Sequence, residues 1–324
     1  MSGDSGSDQA MAAAQSAATP DALALGAALG GRYIVDKCIG HGGMGVVYAA
    51  RDRVLERPVA IKVLRPEFRR DDALVTRFLN EARIVASLFT NPNIVSIYDL
   101  GRTDAGDSYL VMELLRGKSL REGIDPGSHM RPSRTWVLEV VAQIAGALAD
   151  AHKLGVAHRD LKPENVFVLD THMRIVKVLD FGLAVSASAP LADLYKTRPG
   201  DLIGTPMYMS PESIRGESVG APADLYALGI LLYELASNGQ VPYDARTLGQ
   251  WMRAHELDAP RPLPETHPSG QPYAPYPQRF HDLLAKLLSK DPGQRPGAWQ
   301  VYCELRMVAE EIDAAYHVDV ARRG

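Results

Sequence analysis

Cysteine is scarce in this chain of 324 residues, with Cys38 and Cys303 as its two examples. Two thiols cannot build the disulfide framework of a small secreted domain, so a reducing compartment suits the chain. Charge of one sign is not in excess either, since 35 Lys and Arg oppose 39 Asp and Glu and leave a net charge of −4. This balance argues against a protein whose main task is to bind nucleic acid or an anionic lipid surface.

Long apolar runs are also missing. The best candidate, 227–233, ends at Glu234, whereas a membrane-spanning helix needs roughly 18 or more apolar residues. The first 31 residues carry three acidic residues and no Lys or Arg, so they lack the positive flank of a signal peptide. We therefore expect no membrane span in this chain and a cytoplasmic location, whether or not it is part of a longer protein.

What is present is an ordinary globular composition, with 46% hydrophobic and 23% charged residues. Residues 1–31 are mostly Ala, Ser, Gly and Asp, which predicts a disordered leader. A β-rich part and then an α-rich part follow, which suggests two lobes with a cleft between them. Strand patterns occur at 33–35, 46–48, 59–61, 94–100, 109–113, 166–169 and 175–179. Helical patterns occur at 71–88, 134–153, 223–237, 247–256, 278–289 and 297–315.

Proline is concentrated late in the chain, since residues 258–278 hold seven of the 22 prolines. This composition predicts an extended surface segment. A ligand for a proline-recognising domain is the alternative interpretation.

The first chemical motif is a glycine-rich turn between two strand patterns. Glycine has no Cβ, so such a turn lets the backbone approach phosphate oxygens closely. A dinucleotide-binding fold would place a helix after the glycines, but the chain continues as a strand at 46–48, so that fold is disfavoured. A plain hairpin turn remains an alternative for this motif alone. The turn comprises Gly40, His41, Gly42, Gly43, Met44 and Gly45.

Lys62 directly follows the apolar residues of the third strand pattern, in the sequence Val-Ala-Ile-Lys at 59–62. A lysine in such apolar surroundings needs a phosphate or a carboxylate as its partner. Glu81, on the helix predicted at 71–88, is the carboxylate that we favour. A solvated edge lysine and a solvated helix glutamate are the alternatives.

A second group of motifs begins with His-Arg-Asp-Leu-Lys-Pro-Glu-Asn at 158–165, and Asp-Phe-Gly follows at 180–182. Separately, these residues could be turn formers or caps, but that interpretation does not explain their common order and spacing. Together with the glycine turn and Lys62, they resemble the motif set of the eukaryotic-type protein kinases. The Gly-Gly-Met-Gly sequence at 42–45 is similar to the bacterial branch of serine/threonine kinases. The resemblance covers about 33–308 and includes Ser-Pro-Glu at 210–212, Asp224 and Arg-Pro at 295–296.

This resemblance implies an α+β fold of two lobes, a small β-rich amino-terminal lobe with one key helix and a larger helical carboxy-terminal lobe. We place the lobes at 32–115 and 116–315, with 258–278 as a surface insertion. The leader at 1–31 precedes them and a tail at 316–324 follows.

The resemblance also implies catalytic roles. Asp160 would accept the proton of a substrate hydroxyl, and Lys162 would stabilise the γ-phosphate. Lys62, held by Glu81, would contact the α- and β-phosphates of ATP. Mg²⁺, or Mn²⁺ in its place, would bind to hard oxygen donors, namely Asn165 and Asp180.

For the nucleotide itself, the resemblance implies a site built from several strands. Ile39 and the glycine turn would cover the phosphates. Val47, Ala60 and Phe167 would sandwich the adenine. Backbone hydrogen bonds and the rear of the pocket would come from Glu113, Leu115 and Met112.

Two structural features are implied as well. Glu212 and Arg295 would form a buried ion pair, and an apolar spine anchored on Asp224 would join the lobes. The spine would contain Val85, Ile97, His158 and Phe181. The histidines His152, His172 and His281 have no partners at metal-ligand spacing, so we expect them at the surface.

Regulation is expected at the loop between 182 and 204. Arg159 is a cation beside Asp160, and in the kinases that this chain resembles such an arginine binds a phosphate on that loop. Thr197 is our candidate phosphosite, with Arg77 as a second ligand of the phosphate, and Thr205 would bond Asp160 and Lys162. The competing acceptors in the loop are Ser186, Ser188 and Tyr195.

We therefore expect an ATP-dependent serine/threonine protein kinase, activated by autophosphorylation between transiently associated copies. Its partners would be protein substrates, with no nucleic acid. The alternatives are a nucleotide-binding pseudokinase and a small-molecule phosphotransferase of the same fold. The pseudokinase is disfavoured because Lys62, Asp160 and Asp180 are all present. The small-molecule enzyme is disfavoured by Lys162 and by the segment 205–212.

Overall fold

The computed structural model describes residues 23–42, 45–124, 132–171, 175–181, 206–265 and 274–323, without the side chains of Ala73, Arg77, Glu81 and 315–323. The chain divides into two compact units. The first unit comprises Met1–Thr76 and Tyr98–Leu114, and the second comprises Arg77–Ile97 and Leu115–Gly324. The first unit is rich in strands and the second in helices, which confirms the α+β class.

The first unit is built on a six-stranded sheet, whose strands are β1 (Ala28–Leu29), β2 (Tyr33–His41), β3 (Gly45–Asp52), β4 (Arg57–Leu64), β5 (Ile97–Arg102) and β6 (Ser108–Glu113). Their order in the sheet is β1-β2-β3-β4-β6-β5. Strand β4 lies between β3 and β6, and Val59, Ile61 and Val63 on it are buried. Two large tyrosines, Tyr33 and Tyr48, fill the same core.

Order begins earlier than the expected boundary at residue 32. Strand β1 pairs antiparallel with β2, and Leu29 is 3% exposed. The Gly26 amide donates to the Val35 carbonyl at 2.9 Å. The expectation of a disordered leader up to residue 31 is therefore wrong for 26–31. This segment is ordered because it pairs with the edge of β2 and buries Leu29 in the core.

Helix α1 (Asp72–Ser87) agrees with its prediction to within a residue at each end. The carboxylate of Asp71 accepts a hydrogen bond from the Leu74 amide at 2.9 Å and so caps the first turn. The division between the two units passes through this helix, after Thr76.

The second unit surrounds helix α5 (Ala221–Ala236), which is buried on all sides from Ala223 to Leu235. Helix α3 (Arg134–Lys153) has the predicted bounds, and Ser133 caps it by accepting from the Trp136 amide at 3.2 Å. A three-stranded sheet in the order β7-β8-β9 comprises β7 (Gly117–Ser119), β8 (Val166–Leu169) and β9 (Val176–Val178). The helices are α2 (Leu120–Ile124), α3 (Arg134–Lys153), α4 (Pro211–Ile214), α5 (Ala221–Ala236), α6 (Leu248–Leu257), α7 (Gln278–Leu287) and α8 (Ala298–Arg323).

The described parts of the proline-rich segment, 258–265 and 274–278, pack more closely than a surface spacer would. Leu263 and Tyr276 pack against the hydrophobic core, and the Pro262 carbonyl accepts from the Tyr233 hydroxyl at 3.0 Å. Helix α8 likewise continues to Arg323, so its backbone includes most of the expected tail at 316–324. Across the described ranges, none of the helices is both apolar enough and long enough for a membrane crossing.

Candidate active site

Asp160 is the centre of a hydrogen-bonded loop in the second unit. Its Oδ2 accepts from Lys162 Nζ at 2.7 Å and from Asn165 Nδ2 at 3.1 Å. Asn165 Nδ2 also donates to the Asp160 carbonyl, at 2.8 Å, which ties the two ends of the loop together. The Asp160 side chain is 40% exposed, and its Oδ1 accepts no hydrogen bond from any residue in the described ranges. Oδ2 is thus held in place by two side chains of the same loop, and the Asp160 side chain stays partly exposed.

Asp224, at the start of α5, fixes the backbone that leads into this loop. Its carboxylate accepts from the His158 amide at 2.7 Å and from the Arg159 amide at 2.8 Å. Arg159 has a left-handed backbone, with φ of 66°, a conformation that persists only where the surroundings enforce it. His152 Nε2 lies 2.8 Å from the same carboxylate.

The expectation that His152 lies at the surface is therefore wrong. It is 12% exposed, because the last turn of α3 places it beside Asp224. His281 is exposed, as expected, and His172 lies outside the described residues.

His158 connects this loop with the end of β9. Its Nδ1 accepts from the Asp160 amide at 3.3 Å, so Nε2 carries the proton that is shared with the Leu179 carbonyl at 2.8 Å. The His158 ring lies 4.8 Å from the Phe181 ring. Contact between these two spine residues is confirmed, and Val85 and Ile97 pack in the same hydrophobic core.

Asn165 and Asp180 supply the oxygens expected to bind a metal ion. The Leu179 amide donates to the Asn165 carbonyl at 2.8 Å, which places the two segments side by side. Asp180 itself has a left-handed backbone, with φ of 55°. The Asn165 amide nitrogen donates to Asp160, and the Asn165 Oδ1 accepts no hydrogen bond from the described residues. A carboxylate and an amide oxygen fit Mg²⁺, which usually takes its other ligands from water and phosphate.

Four of the expected nucleotide residues of the first unit share one face of its sheet. Val47 on β3 lies opposite Lys62 on β4, and Ala60 on β4 lies opposite Met112 on β6. Side chains two apart on a strand point to the same face, so all four belong to that face. Lys62 is 7% exposed, whereas the side chain of Glu81 lies outside the described part. The pairing of Lys62 with Glu81 stays a prediction.

The glycine turn closes the hairpin between β2 and β3. The Gly42 amide donates to the Gly45 carbonyl at 2.8 Å, and Arg65 Nη2 donates to the Gly42 carbonyl at 3.0 Å. A Cβ on Gly45 would lie 2.5 Å from the Val63 carbonyl oxygen, so close strand packing requires this glycine. Ile39, Gly40 and His41 belong to β2, and Gly43 and Met44 lie outside the described residues.

The other residues that are expected to contact the adenine are divided between the two units. Glu113 ends β6 in the first unit, and Leu115 begins the second part of the second unit. Phe167 lies on β8, opposite Ser119 of β7 and Lys177 of β9.

The buried ion pair is confirmed. Arg295 donates to both oxygens of Glu212, at 2.6 and 2.9 Å, and the residues are 7% and 4% exposed. Burial alone would raise the pKa of Glu212, but the hydrogen bonds from Arg295 outweigh it and hold this pKa below its ordinary value.

A second ionic network, which sequence reasoning missed, joins the turn at 206–208 to the Asp160 loop. Arg121 donates to Glu164 at 3.0 Å, to Glu234 at 2.8 Å and to the Tyr208 hydroxyl at 2.6 Å. The Tyr208 hydroxyl in turn donates to Glu234. Burial raises the pKa of Glu234, although Arg121 opposes that shift. The missed signal is the acidic Glu234, which directly follows the run without charged residues at 225–233.

The expected regulatory residues are mostly beyond the described ranges. Thr197 and Thr205 both lie outside them, together with the competing acceptors Ser186, Ser188 and Tyr195. The side chain of Arg77 is likewise not described, whereas Arg159 is exposed. The phosphate switch stays a prediction.

Residues 33–305 match the family model described as the protein kinase domain. The "Serine/threonine-protein kinase pkn3" of Myxococcus xanthus is 36% identical over 296 residues, which cover 89% of this chain and 52% of that protein. The "Serine/threonine-protein kinase PrkC" of Bacillus subtilis is 37% identical over 274 residues, 84% of this chain and 40% of that protein.

Among solved structures, the PknI kinase domain of Mycobacterium tuberculosis aligns with a TM-score of 0.64 at 25% identity. The alignment covers 89% of this chain and 100% of that domain. The chain thus spans about half or less of the length of these curated relatives, and the whole of the solved kinase domain.

Proposed function

Since the chain belongs to the protein kinase family, in its bacterial serine/threonine branch, we propose that it transfers the γ-phosphoryl group of ATP to serine and threonine hydroxyls of proteins. The observation that carries this proposal is the geometry around Asp160. Its carboxylate is held at one oxygen by Lys162 and Asn165, and its side chain as a whole is 40% exposed. A general base needs this combination of fixed position and access.

In the proposed reaction, the substrate hydroxyl gives its proton to Asp160 as the oxygen–phosphorus bond forms. The bond between the γ-phosphorus and the bridging oxygen breaks, and the nucleoside diphosphate leaves with that oxygen. Lys162 is 2.7 Å from Asp160 and neutralises charge that develops on the phosphoryl oxygens. Phosphoryl transfer depends on positioning and charge neutralisation rather than on covalent chemistry by the protein.

Asn165 and Asp180 are the proposed ligands of the divalent metal ion, Mg²⁺ or Mn²⁺. When bound, the metal supplies positive charge to the nucleotide phosphates. Lys62, with Glu81 as its partner, is proposed to bind the α- and β-phosphates. The adenine is proposed to contact Val47, Ala60, Met112, Phe167 and the backbone of Glu113 and Leu115, while residues 39–45 cover the phosphates.

Three further proposals concern the biology of the chain. The first is that phosphorylation of Thr197 activates the chain and that Arg159 binds this phosphate. The phosphate would be transferred from one copy of the chain to another, which requires transient association of the two. Protein substrates, rather than small molecules, are supported by the ordered turn at 206–208 that follows Thr205. A cytoplasmic location is proposed because ATP is plentiful there and both cysteines are free thiols.

Phosphoamino-acid identification tests the proposal. The full chain is incubated with γ-labelled ATP, Mg²⁺ and casein as a general protein acceptor, and the protein is then hydrolysed in acid. Labelled phosphoserine or phosphothreonine is the expected result. Nucleotide binding without transfer would support the pseudokinase, and label on small molecules alone would support the small-molecule enzyme.

A further inference from the structure

Arg65 lies just beyond the end of β4 and contacts the glycine turn. Gly45, the first residue of β3, pairs with Leu64, the last residue of β4, so the residue that follows Leu64 lies beside the turn. Arg65 Nη2 donates to the Gly42 carbonyl at 3.0 Å. Arg65 belongs to none of the kinase motifs and has no part in the proposed phosphoryl transfer.

Gly42 is held through both of its backbone polar groups. Its amide donates to the Gly45 carbonyl at 2.8 Å, and its carbonyl accepts from Arg65. The first bond lies within the turn, whereas the second ties the turn to the end of β4, the strand that carries Lys62. Arg65 therefore relates the position of the turn to that of the proposed phosphate-binding lysine.

The side chain of Arg65 starts on the opposite face of the sheet from Lys62. Successive side chains of a strand alternate between the two faces, and Arg65 continues β4 in an extended conformation, with φ of −64° and ψ of 147°. Lys62 shares its face with the expected nucleotide residues, whereas Val63, the next residue, packs in the core of the first unit. The bond from Arg65 thus draws the Gly42 carbonyl away from the nucleotide face.

The direction of this carbonyl determines what the turn offers to a phosphate. In a planar trans peptide, the C=O and N–H groups point in opposite directions. Backbone N–H groups are the donors with which glycine-rich turns bind phosphate. A carbonyl of the turn that faced the nucleotide would instead repel the phosphate oxygens. Because glycine tolerates backbone conformations of both signs of φ, its peptide flips at little cost unless a partner holds it.

The guanidinium of Arg65 is committed to this contact. The side chain is 37% exposed, but its Nε is buried and has no hydrogen-bond partner within the described ranges. Glu67, at 3.8 Å from Nη1, is 52% exposed, and such a loose surface pair contributes little. Among the residues that the structure describes, the Gly42 carbonyl is thus the close partner of Arg65, and a hydrogen bond from a charged donor is stronger than a neutral one.

We propose that Arg65 is a positioning residue for ATP, which holds the Gly42 carbonyl away from the nucleotide so that the turn presents N–H groups to the phosphates. The inference rests on the proposed kinase function and deepens it. It assigns to Arg65 an effect on the phosphates of the nucleotide and none on the adenine.

Two substitutions of Arg65 separate this role from a general loss of structure. Arg65→Lys keeps a charged donor that can reach the Gly42 carbonyl, whereas Arg65→Met keeps much of the aliphatic stem without a donor. Arg70→Met is the matched control. Arg70 is an exposed arginine of the same unit, and its substitution removes the same charge without touching the turn.

Calorimetry with the full chain measures the Kd of Mg·ATP and that of adenosine, which has the same base and no phosphates. We expect the Kd of Mg·ATP to rise about tenfold in Arg65→Met, as for the loss of one charge-assisted hydrogen bond, and the Kd of adenosine to stay within about twofold. Arg65→Lys should stay within about threefold of wild type for both ligands, and Arg70→Met should change neither. Amide hydrogen exchange in the peptide that contains Gly42 should increase in Arg65→Met.

Several results would overturn the proposal. Equal rises of both Kd values would indicate a general structural defect, and equal losses in Arg65→Met and Arg70→Met would indicate an effect of net charge. A deficit in Arg65→Lys as large as in Arg65→Met, or unchanged exchange around Gly42, would exclude the hydrogen bond as the cause. A wild-type chain that binds no Mg·ATP would contradict the proposed kinase function and this inference with it. Wild-type affinity for Mg·ATP in Arg65→Met would overturn this inference alone.

Discussion

Removal of Arg295 should destabilise the second unit by an amount that the structure lets us estimate. The guanidinium donates to both oxygens of Glu212, to the Ser289 carbonyl at 3.0 Å and to the Pro222 carbonyl at 2.8 Å. Its side chain is 0% exposed. In Arg295→Met, the Glu212 carboxylate would stay buried without a counter-charge, and breaking a buried pair in this way costs about 3–5 kcal/mol.

The direction in which a second substitution changes the stability is the more decisive part of this prediction. Glu212→Gln added to Arg295→Met removes the stranded charge, so the double variant should be more stable than Arg295→Met alone. Urea unfolding of all three proteins at pH 7, followed by tryptophan fluorescence, measures these differences. A double variant that is less stable than Arg295→Met would refute the assignment of the cost to the unpaired carboxylate.

Acid provides an independent check of the same pair. In the wild type, the pKa of Glu212 is lowered on folding, so the stability that it contributes is present above its unfolded pKa near 4.5 and is lost as the pH falls through the folded value. In Arg295→Met, burial without a partner should raise the pKa of Glu212 above the unfolded value instead. That variant should therefore recover part of its deficit relative to wild type between pH 7 and 5, whereas a constant difference would contradict the electrostatic cause.

Three other predictions address the site and its surroundings. Lys62→Met should abolish transfer, and adding Glu81→Gln should cost little more, because the two act as a unit; additive losses in kcat/KM would count against the pair. Thr197→Ala should remove phosphate from the loop at 183–205 and lower activity, as checked by phosphopeptide mapping; full activity would exclude this switch. Since the pKa of His255 is about 3 when folded and near 6.5 when unfolded, wild-type stability should fall by up to about 1.4 kcal/mol per pH unit on acidification through that window. His255→Gln should lose this slope between pH 6 and 5 in urea titrations, and an unchanged slope would place the titration elsewhere.

The parts of the fold that sequence predicted well are those whose signals are local. Helix α3 has the predicted ends because Ser133 caps it and a strong apolar periodicity runs to Ala151. The loop around Asp160 was found from eight consecutive residues at 158–165. The ion pair of Glu212 and Arg295 depended on resemblance to a known family, because 83 residues separate its members.

The features that sequence reasoning did not predict have a common physical cause. Each is determined by a contact between residues that are distant in sequence. Nothing in residues 26–31 predicts a strand, and β1 exists because β2 offers it an edge. His152 has no nearby partner in sequence, but α5 brings Asp224 to it. His255 on α6 lies 2.9 Å, through its Nδ1, from the Tyr226 hydroxyl on α5, and neither periodicity nor motif spacing could reveal this contact between two helices.

The role of Asp160 as general base is tested by the single-turnover rate of phosphate transfer to casein by Asp160→Asn, with Mg·ATP affinity measured on the same protein. We expect the rate to fall by roughly 10²–10³ or more, with nearly unchanged Mg·ATP binding, because Asp160 acts on the acceptor hydroxyl. Asp180→Asn is the matched variant and should weaken Mg·ATP binding as well. Near-normal transfer by Asp160→Asn would contradict the assignment of the active site.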